Sequence, residues 1–150
     1  MRNVMTPAFV LPRFSAPPVV DLEAADEADA IRKVAALLKG DGDVSDHAAF
    51  LAAVEERQRL NPPLLGEGIA LPHARTPAVK EIVFTAARLR EPVLFGAEKL
   101  PVKLIFLFGV PPRKIGEYLT ATAALARCLR QPATITKLLA AEGAEAFRAC

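Results

Sequence analysis

The first helical pattern runs from Asp26 to Leu38. Within it, Ile31, Val34 and Leu38 recur at helical spacing and fall on one face, whereas the intervening residues are mostly small or charged. Asp26 has the side chain of a good N-cap, and Gly40 follows the last apolar position as a stop signal. The pattern predicts an amphipathic helix.

A second helical pattern follows a loop over residues 40–44. Ser45 is placed to cap it, Phe50, Leu51 and Val54 share its apolar face, and the pattern ends near Arg57. This spacing predicts a second amphipathic helix with Arg57 at its exit.

The middle of the chain changes from helical spacing to short apolar runs. Between residues 60 and 77, prolines and glycines shape a loop around the short apolar piece Ile69–Leu71. Two stronger strand patterns follow, Ile82–Leu89 and Leu104–Val110, and the second is apolar enough for an inner strand covered on both faces. A functional site is expected in the loop of residues 60–77, before these two strands.

Helical spacing returns after two consecutive prolines at positions 111 and 112. The positions assigned to one face there are Ile115, Leu119, Thr122 and Leu129. Pro132 is predicted in the first turn of a further helix that reaches about Ala141, and a short terminal helix is predicted from Ala144. Helices, then strands, then helices indicate a layered α/β domain.

Length and composition limit the classes of function. A chain of 150 residues, about half of them apolar, suits one domain with one substantial core. The 19 basic and 17 acidic residues leave no strong field for nucleic acid or an anionic membrane. The proline-rich opening, residues 1–19, lacks the apolar run of a secretion signal, and no run approaches the length of a spanning helix.

Three residues with reactive side chains are assigned no role. Cys128 and Cys150 are far apart and lack the setting of a zinc site or a disulfide framework, so they are interpreted as buried or bystander thiols. His47, in the first turn of the second predicted helix, has no partner that spacing identifies and is expected to be exposed to solvent.

The segment from Gly66 to Arg75, GEGIALPHAR, holds the most informative chemistry. It places His73 directly after a proline and two residues before Arg75. A neutral imidazole is nucleophilic near pH 7, and the guanidinium groups of Arg57 and Arg75 can bind phosphoryl oxygens. The glycines would let backbone N–H groups approach closely. A structural histidine, hydrogen-bonded to the backbone, is the alternative interpretation.

Several segments resemble one known family, the type 2 (fructose/mannitol-type) enzyme IIA domains of the bacterial sugar phosphotransferase system. GxGIALPHAR resembles its phosphorylation-site signature, with His73 at the phosphorylated position. Arg57, sixteen residues earlier, matches an arginine that ends a helix in the family, and residues 104–111 resemble a later strand that runs into proline. Residues 87–95 resemble the turn from one strand toward the next, and the likeness covers roughly residues 20–148.

The resemblance implies both a fold and a function. The fold would be an α/β domain, residues 20–150, with a central mixed sheet of about five strands covered by helices on both faces. His73 would accept a phosphoryl group from the carrier protein HPr or its nitrogen-branch equivalent, held by Arg57 and Arg75, in the cytoplasm and without a cofactor. It could then pass the group to a cysteine of an enzyme IIB domain, or signal to a regulatory target as nitrogen-regulatory relatives do, which is the favoured interpretation.

One residue departs from the family pattern. Many relatives carry a second histidine early in the helix after the later proline, and Tyr118 stands there in this chain. A tyrosine hydroxyl can donate a hydrogen bond to a phosphoryl oxygen, but it does not become a cation near neutral pH. A binding module that has lost phosphotransfer therefore remains an alternative.

Other residues near the expected site are open to more than one interpretation. A hydrolase that uses His73 as a base lacks a serine or cysteine nucleophile in a suitable setting. Arg113 and Lys114 are candidates for contact with a partner protein, although paired surface charges are usually only solvated. Glu67 could orient His73 but is interpreted as a surface residue.

Overall fold

The computed structural model describes residues 13–60 and 62–149. Its strands are β1 (Val19–Leu22), β2 (Gly68–Ala70), β3 (His73–Arg75), β4 (Val83–Phe95) and β5 (Leu100–Val110). Its helices are α1 (Glu27–Ala36), α2 (His47–Leu60), α3 (Ile115–Leu129), α4 (Pro132–Ala140) and α5 (Ala144–Ala149), and a 3-10 turn, Pro112–Lys114, precedes α3. The elements form the layered α/β arrangement that the sequence predicts.

The five strands form one mixed sheet with β5 near its centre. The order is β1-β4-β5-β2, and β3 pairs with the same edge of β5 as β2 does. Strands β4 and β5 are antiparallel, whereas β1 is parallel to β4 and both β2 and β3 are parallel to β5. The mixed sheet of about five strands is confirmed.

Helices cover both faces of this sheet. Successive side chains in the apolar run of β5 point to opposite faces, so both faces need to be buried. Ile105 and Leu107 pack with the apolar residues of α1 and α2, whereas Leu104, Phe106 and Phe108 pack with those of α3, α4 and α5. All five side chains are buried, as the uninterrupted apolar run predicts for an inner strand.

The first predicted helix is confirmed, and the cap of the second is corrected. Asp26 accepts a hydrogen bond from the backbone N–H of Asp29 at 2.9 Å, which makes it the N-cap of α1. The capping side chain of α2 is Asp46, because its Oδ1 accepts from Ala49 N, whereas the Ser45 hydroxyl donates to a loop carbonyl instead. Asp46, the residue after Ser45, is therefore the N-cap of α2.

Strand β4 is longer than predicted, and the expected turn within residues 87–95 is wrong. The strand continues to Phe95, with a register shift between Arg88 and Val93, and the turn to β5 occupies residues 96–99. Pro92 lies in that irregular stretch, where its missing N–H costs no ladder hydrogen bond. Gly96, at φ 75°, begins the turn.

The last three predicted helices are present, with one error in the assigned face of α3. Leu119 is 59% exposed, whereas its neighbour Tyr118 is buried against the sheet. Pro132 begins α4, as its fixed φ favours, and a short α5 follows. The buried stripe of α3 therefore passes through Tyr118, Leu125 and Leu129.

The segment before β1 contacts the sheet where it is described. Ser15 N donates to Phe84 O at 2.7 Å, and the Thr85 hydroxyl donates to Ala16 O at 3.1 Å. Most of the predicted extension, residues 1–12, lies outside the described residues, so its boundary at residue 19 stays a prediction. Within the described ranges, no helix has the length and apolarity needed to cross a membrane.

Candidate functional site

His73 is the first residue of β3, although the sequence predicts that it lies within the loop of residues 60–77, after the short apolar piece Ile69–Leu71. Its strand pairs with β5 in the register His73 to Phe108, and Phe108 N donates to Pro72 O at 3.0 Å. Pro72, the residue before His73, is buried, and its ring fixes the backbone on the N-terminal side of the histidine. The position of the histidine is therefore set by the central strand of the sheet.

The hydrogen bond of the His73 ring determines which nitrogen can react. Nδ1 lies 3.0 Å from Leu71 O, and a carbonyl oxygen only accepts, so Nδ1 carries the proton in the neutral ring. Leu71 is itself fixed, because its N–H donates to Pro63 O at 2.8 Å. The lone pair of the neutral ring is therefore on Nε2.

The surroundings of His73 favour its neutral form. Partial burial has the largest effect and lowers the pKa of the ring below its ordinary value of 6.5. The hydrogen bond to Leu71 raises the pKa by less than burial lowers it, and the positive charge of Arg57 makes the smallest contribution and lowers the pKa. A half-buried ring with a depressed pKa and an available Nε2 lone pair is suited to nucleophilic attack.

The two predicted arginines lie in the same pocket as His73. Arg57 comes from the last turn of α2, and Arg75 follows His73 by two residues in β3, which places both side chains on one side of that strand. The pocket is an open cleft of about 490 Å³. Two guanidinium groups beside a nucleophilic nitrogen form a setting suited to a phosphoryl group.

Tyr118, the fourth predicted residue, lies against the His73 ring. The ring centroids are 5.4 Å apart, and Phe108, the strand partner of His73, contacts Tyr118 edge-on at 5.3 Å. Burial raises the pKa of Tyr118 to about 12, although the charge of Arg57 opposes the shift. The tyrosine is therefore a neutral hydrogen-bond donor in this pocket at any physiological pH.

Other lining residues were missed by the sequence analysis. Ala53, Glu56 and Leu60 line the pocket together with Arg57. Their spacing of three or four residues puts them on one helical face with Arg57, and this signal was available in the sequence. Leu60 is 73% exposed, so it forms an apolar rim.

Gly66 and Gly68 have a different role from the one expected. Both have positive φ, 67° and 78°, where glycine is the favoured residue. Neither lines the pocket among the described residues, so their backbone N–H groups are not placed to bind a phosphoryl group. They shape the turn that leads into β2.

His47 is not freely exposed as expected. Its Nε2 lies 3.0 Å from Ala35 O, so the ring joins the beginning of α2 to the end of α1 in a partly buried position. A carbonyl contact across two helices leaves no sequence signal. The interpretation of His47 as a residue outside the site is unchanged.

The remaining residues singled out in the sequence are not among the described residues that line the pocket of His73. Cys128 is a half-buried free thiol within α3, and Cys150 lies outside the described residues. Glu67 is exposed. Arg113 and Lys114 both form ion pairs with Glu81, at 2.9 Å and 2.7 Å, as solvated surface charges do.

The chain is similar to several known proteins. The chain is 39% identical over 90 residues to the 2-O-alpha-mannosyl-D-glycerate-specific EIIABC component of Escherichia coli, covering 59% of this chain and 14% of that protein. It is 33% identical over 100 residues to the nitrogen regulatory protein of Bradyrhizobium diazoefficiens, covering 66% and 65%. The chain thus spans less than two thirds of each of these proteins.

A solved structure matches nearly the whole chain. The nitrogen regulatory protein IIA-Ntr of Neisseria meningitidis superposes with a TM-score of 0.81 at 31% identity, covering 95% of this chain and 96% of that one. Residues 19–150 match the family described as phosphoenolpyruvate-dependent sugar phosphotransferase system, EIIA 2. This protein therefore belongs to the EIIA 2 family of the phosphoenolpyruvate-dependent sugar phosphotransferase system.

Proposed function

We propose that the protein is a phosphoryl carrier whose reactive atom is Nε2 of His73. The observation that carries the proposal is the 3.0 Å contact between His73 Nδ1 and Leu71 O, because it leaves the lone pair of the neutral ring on Nε2. Partial burial and the charge of Arg57 lower the pKa of the ring, so the reactive neutral form predominates near pH 7.

The proposed step is a transfer between two nitrogens. The Nε2 lone pair of His73 attacks the phosphorus of a phosphohistidine on the donor protein, and the donor P–N bond breaks with its electron pair remaining on the donor imidazole. The chain needs to supply positioning and charge stabilisation for this step. Arg57 and Arg75 line the same pocket and would bind the equatorial oxygens. No cofactor takes part.

Tyr118 would act on the phosphoryl group as a neutral donor. It lines the pocket, and its hydroxyl stays protonated because its pKa is raised to about 12. A second histidine at this place could add positive charge, whereas the tyrosine adds only a hydrogen bond. The phosphorylated site would therefore carry less compensating charge than a site with two histidines.

The proposed donor is an HPr-type carrier or its nitrogen-branch equivalent, in the cytoplasm. A regulatory role is favoured over sugar transport, because two relatives of 31% and 33% identity are nitrogen regulatory proteins. The alternative is a sugar-specific subunit that passes the group to a IIB cysteine, and the relative named as an EIIABC component favours it. Transfer from the phosphorylated chain to a purified IIB domain would support this alternative.

A binding module without phosphotransfer is the second candidate function. The observation that favours it is Tyr118 at the position where a histidine is common in the family. Such a module would bind its partner equally well whether or not the phosphoryl donors are present.

The test is intact-mass analysis after incubation with phosphoenolpyruvate, enzyme I and HPr, and separately with the nitrogen-branch pair. Alkaline conditions preserve phosphohistidine. The carrier proposal expects one added phosphate that is absent from His73→Gln and retained in His47→Gln. His47 is the matched control because it is the only other histidine and lies outside the pocket. Lack of mass gain with both donor pairs, each active on a control protein, would support the binding module.

A further inference from the structure

A second cavity lies on the side of α3 that faces the sheet. It is bounded by this helix, α4, α5 and the sheet. Its volume is about 330 Å³, within the range of small-molecule sites. Leu125 and Leu129 of α3 and Leu138 of α4 form part of its wall, and all three are buried. It shares no lining residue with the pocket of His73 among the described residues.

Four aromatic rings line this cavity, and two of them come from the sheet. Phe84 and Phe106 extend from neighbouring strands with nearly parallel rings, 6.3 Å between centroids and 8° between planes. Phe14 contacts Phe84 at 4.7 Å, and Phe147 of α5 contacts Phe106 at 6.4 Å. These four rings line the cavity and provide a rigid apolar surface for a flat or extended apolar group.

The polar groups of the cavity select the charge of a ligand. Arg13, just before Phe14, and Arg148, just after Phe147, line the cavity, and both residues are exposed. No Asp or Glu lines it among the described residues, so an anion would meet two cations and no opposing carboxylate. The Thr134 hydroxyl and the Cys128 thiol complete the polar lining.

We propose that this cavity binds a small carboxylic acid that has an apolar body. The apolar body enters between the phenylalanine rings and the leucines, and the carboxylate stays at the mouth, where Arg13 and Arg148 bind it. Burying a charged head without pairing would be costly, so the placement of both arginines at the exposed mouth agrees with this orientation. Nothing in this inference depends on phosphorylation of His73.

The test compares two acids with their uncharged analogues on the full chain. The probes are 3-phenylpropionate and octanoate, with 3-phenylpropanol and 1-octanol as analogues, and binding is followed by calorimetry. We expect saturable one-to-one binding of at least one acid with a dissociation constant of about 1 mM or below, and weaker binding of its alcohol. Absence of saturable binding by both acids would overturn the proposal, and equal binding of acid and alcohol would overturn its charge selection.

Alkylation of Cys128 locates the bound probe. Cys128 lines the cavity, so the bound acid should slow its reaction with iodoacetamide, measured on its own peptide by mass spectrometry, in proportion to occupancy. Cys150 is read in the same digest on a separate peptide. Binding that leaves the Cys128 rate unchanged would place the acid elsewhere and overturn the assignment of the site.

Variants of the two arginines test the mouth of the cavity. Arg13→Gln combined with Arg148→Gln should weaken the acid about three- to tenfold and leave the alcohol unchanged, because two exposed ion pairs are lost. Both residues are exposed, so the fold is retained. The matched control is Arg32→Gln, an exposed arginine on α1, which packs on the other face of the sheet. Equal weakening by the control variant would contradict the proposal.

Discussion

Gly109 in β5 is a position where one added carbon should be costly. It pairs with Ala74 of β3 on one side and with Val83 of β4 on the other. A Cβ built there would lie 2.7 Å from Phe50 Cε1 and 2.8 Å from Val83 Cγ2, both well inside van der Waals contact. The clash involves buried side chains that hold α2 against the sheet, so the surroundings have little room to move.

Gly109→Ala should therefore destabilise the protein by about 1–3 kcal/mol, the usual cost of overpacking a core. For a chain of this size that corresponds to a fall in Tm of about 2–12 °C, measured by circular dichroism. The matched control is Gly116→Ala in α3, where an added Cβ meets no atom within 4 Å. A second test is Phe50→Leu, which removes one clashing atom and should reduce the cost of Gly109→Ala.

An unchanged Tm in Gly109→Ala would refute this reasoning. The reasoning would also be refuted if Gly109→Ala cost as much stability in the Phe50→Leu background as in the natural chain and Gly116→Ala cost as much as Gly109→Ala. The loss of stability would then be independent of the space around the new carbon. The result also matters for the site, since the last turn of α2 carries Arg57 into the pocket of His73.

Three further predictions concern ionisation and buried hydrogen bonds. Because the pKa of His73 is lowered and the neutral ring reacts, the fall of the phosphorylation rate at acid pH should have its midpoint below 6.5, the ordinary pKa of histidine. Arg57→Ala removes a cation that lowers this pKa and should move that midpoint to higher pH. Because the pKa of Tyr118 is about 12, Tyr118→Phe should leave the pH profile of phosphohistidine lifetime unchanged up to about pH 10, whereas Tyr118→His should add a component near neutral pH. Glu27→Ala should cost about 1–3 kcal/mol in urea denaturation, because the buried Gln58 amide loses its 2.9 Å partner.

Whether the sequence predicts an element correctly depends on how close along the chain the residues that determine it lie. The N-cap of α1 and the proline at the start of α4 are determined by residues within one turn, and both were predicted correctly. Strand β3 was missed because its three residues become a strand only through pairing with β5, more than thirty positions later. Pairing at that distance leaves no local pattern.

The face of α3 shows a limit of spacing arguments. Leu119 and Tyr118 both fit a helical stripe, and the sequence interpretation preferred the more apolar residue. The structure buries Tyr118, whose ring packs against those of His73 and Phe108, whereas Leu119 is 59% exposed. A tyrosine buries its ring and can keep its hydroxyl at a polar site, so apolarity alone does not decide the face.

The candidate site was recognised from sequence, but its geometry was not. The motif that holds His73 and the resemblance to the family brought together Arg57, Arg75 and Tyr118, which the structure places in one pocket. Which ring nitrogen is available depends on the carbonyl of Leu71, and its position depends on the surrounding loop and sheet. A contact of that kind cannot be inferred from residue types.

The most direct test of the central claim identifies the nitrogen that carries the phosphoryl group. The chain, labelled with ¹⁵N in its histidine rings, is phosphorylated by the donor pair that adds mass and is examined by ¹H–¹⁵N correlation of the ring nitrogens under alkaline conditions. We predict that His73 carries the phosphoryl group on Nε2 and keeps the proton on Nδ1, hydrogen-bonded to Leu71 O. Phosphorylation on Nδ1, phosphorylation of His47, or an unmodified His73 with both active donor pairs would contradict the account.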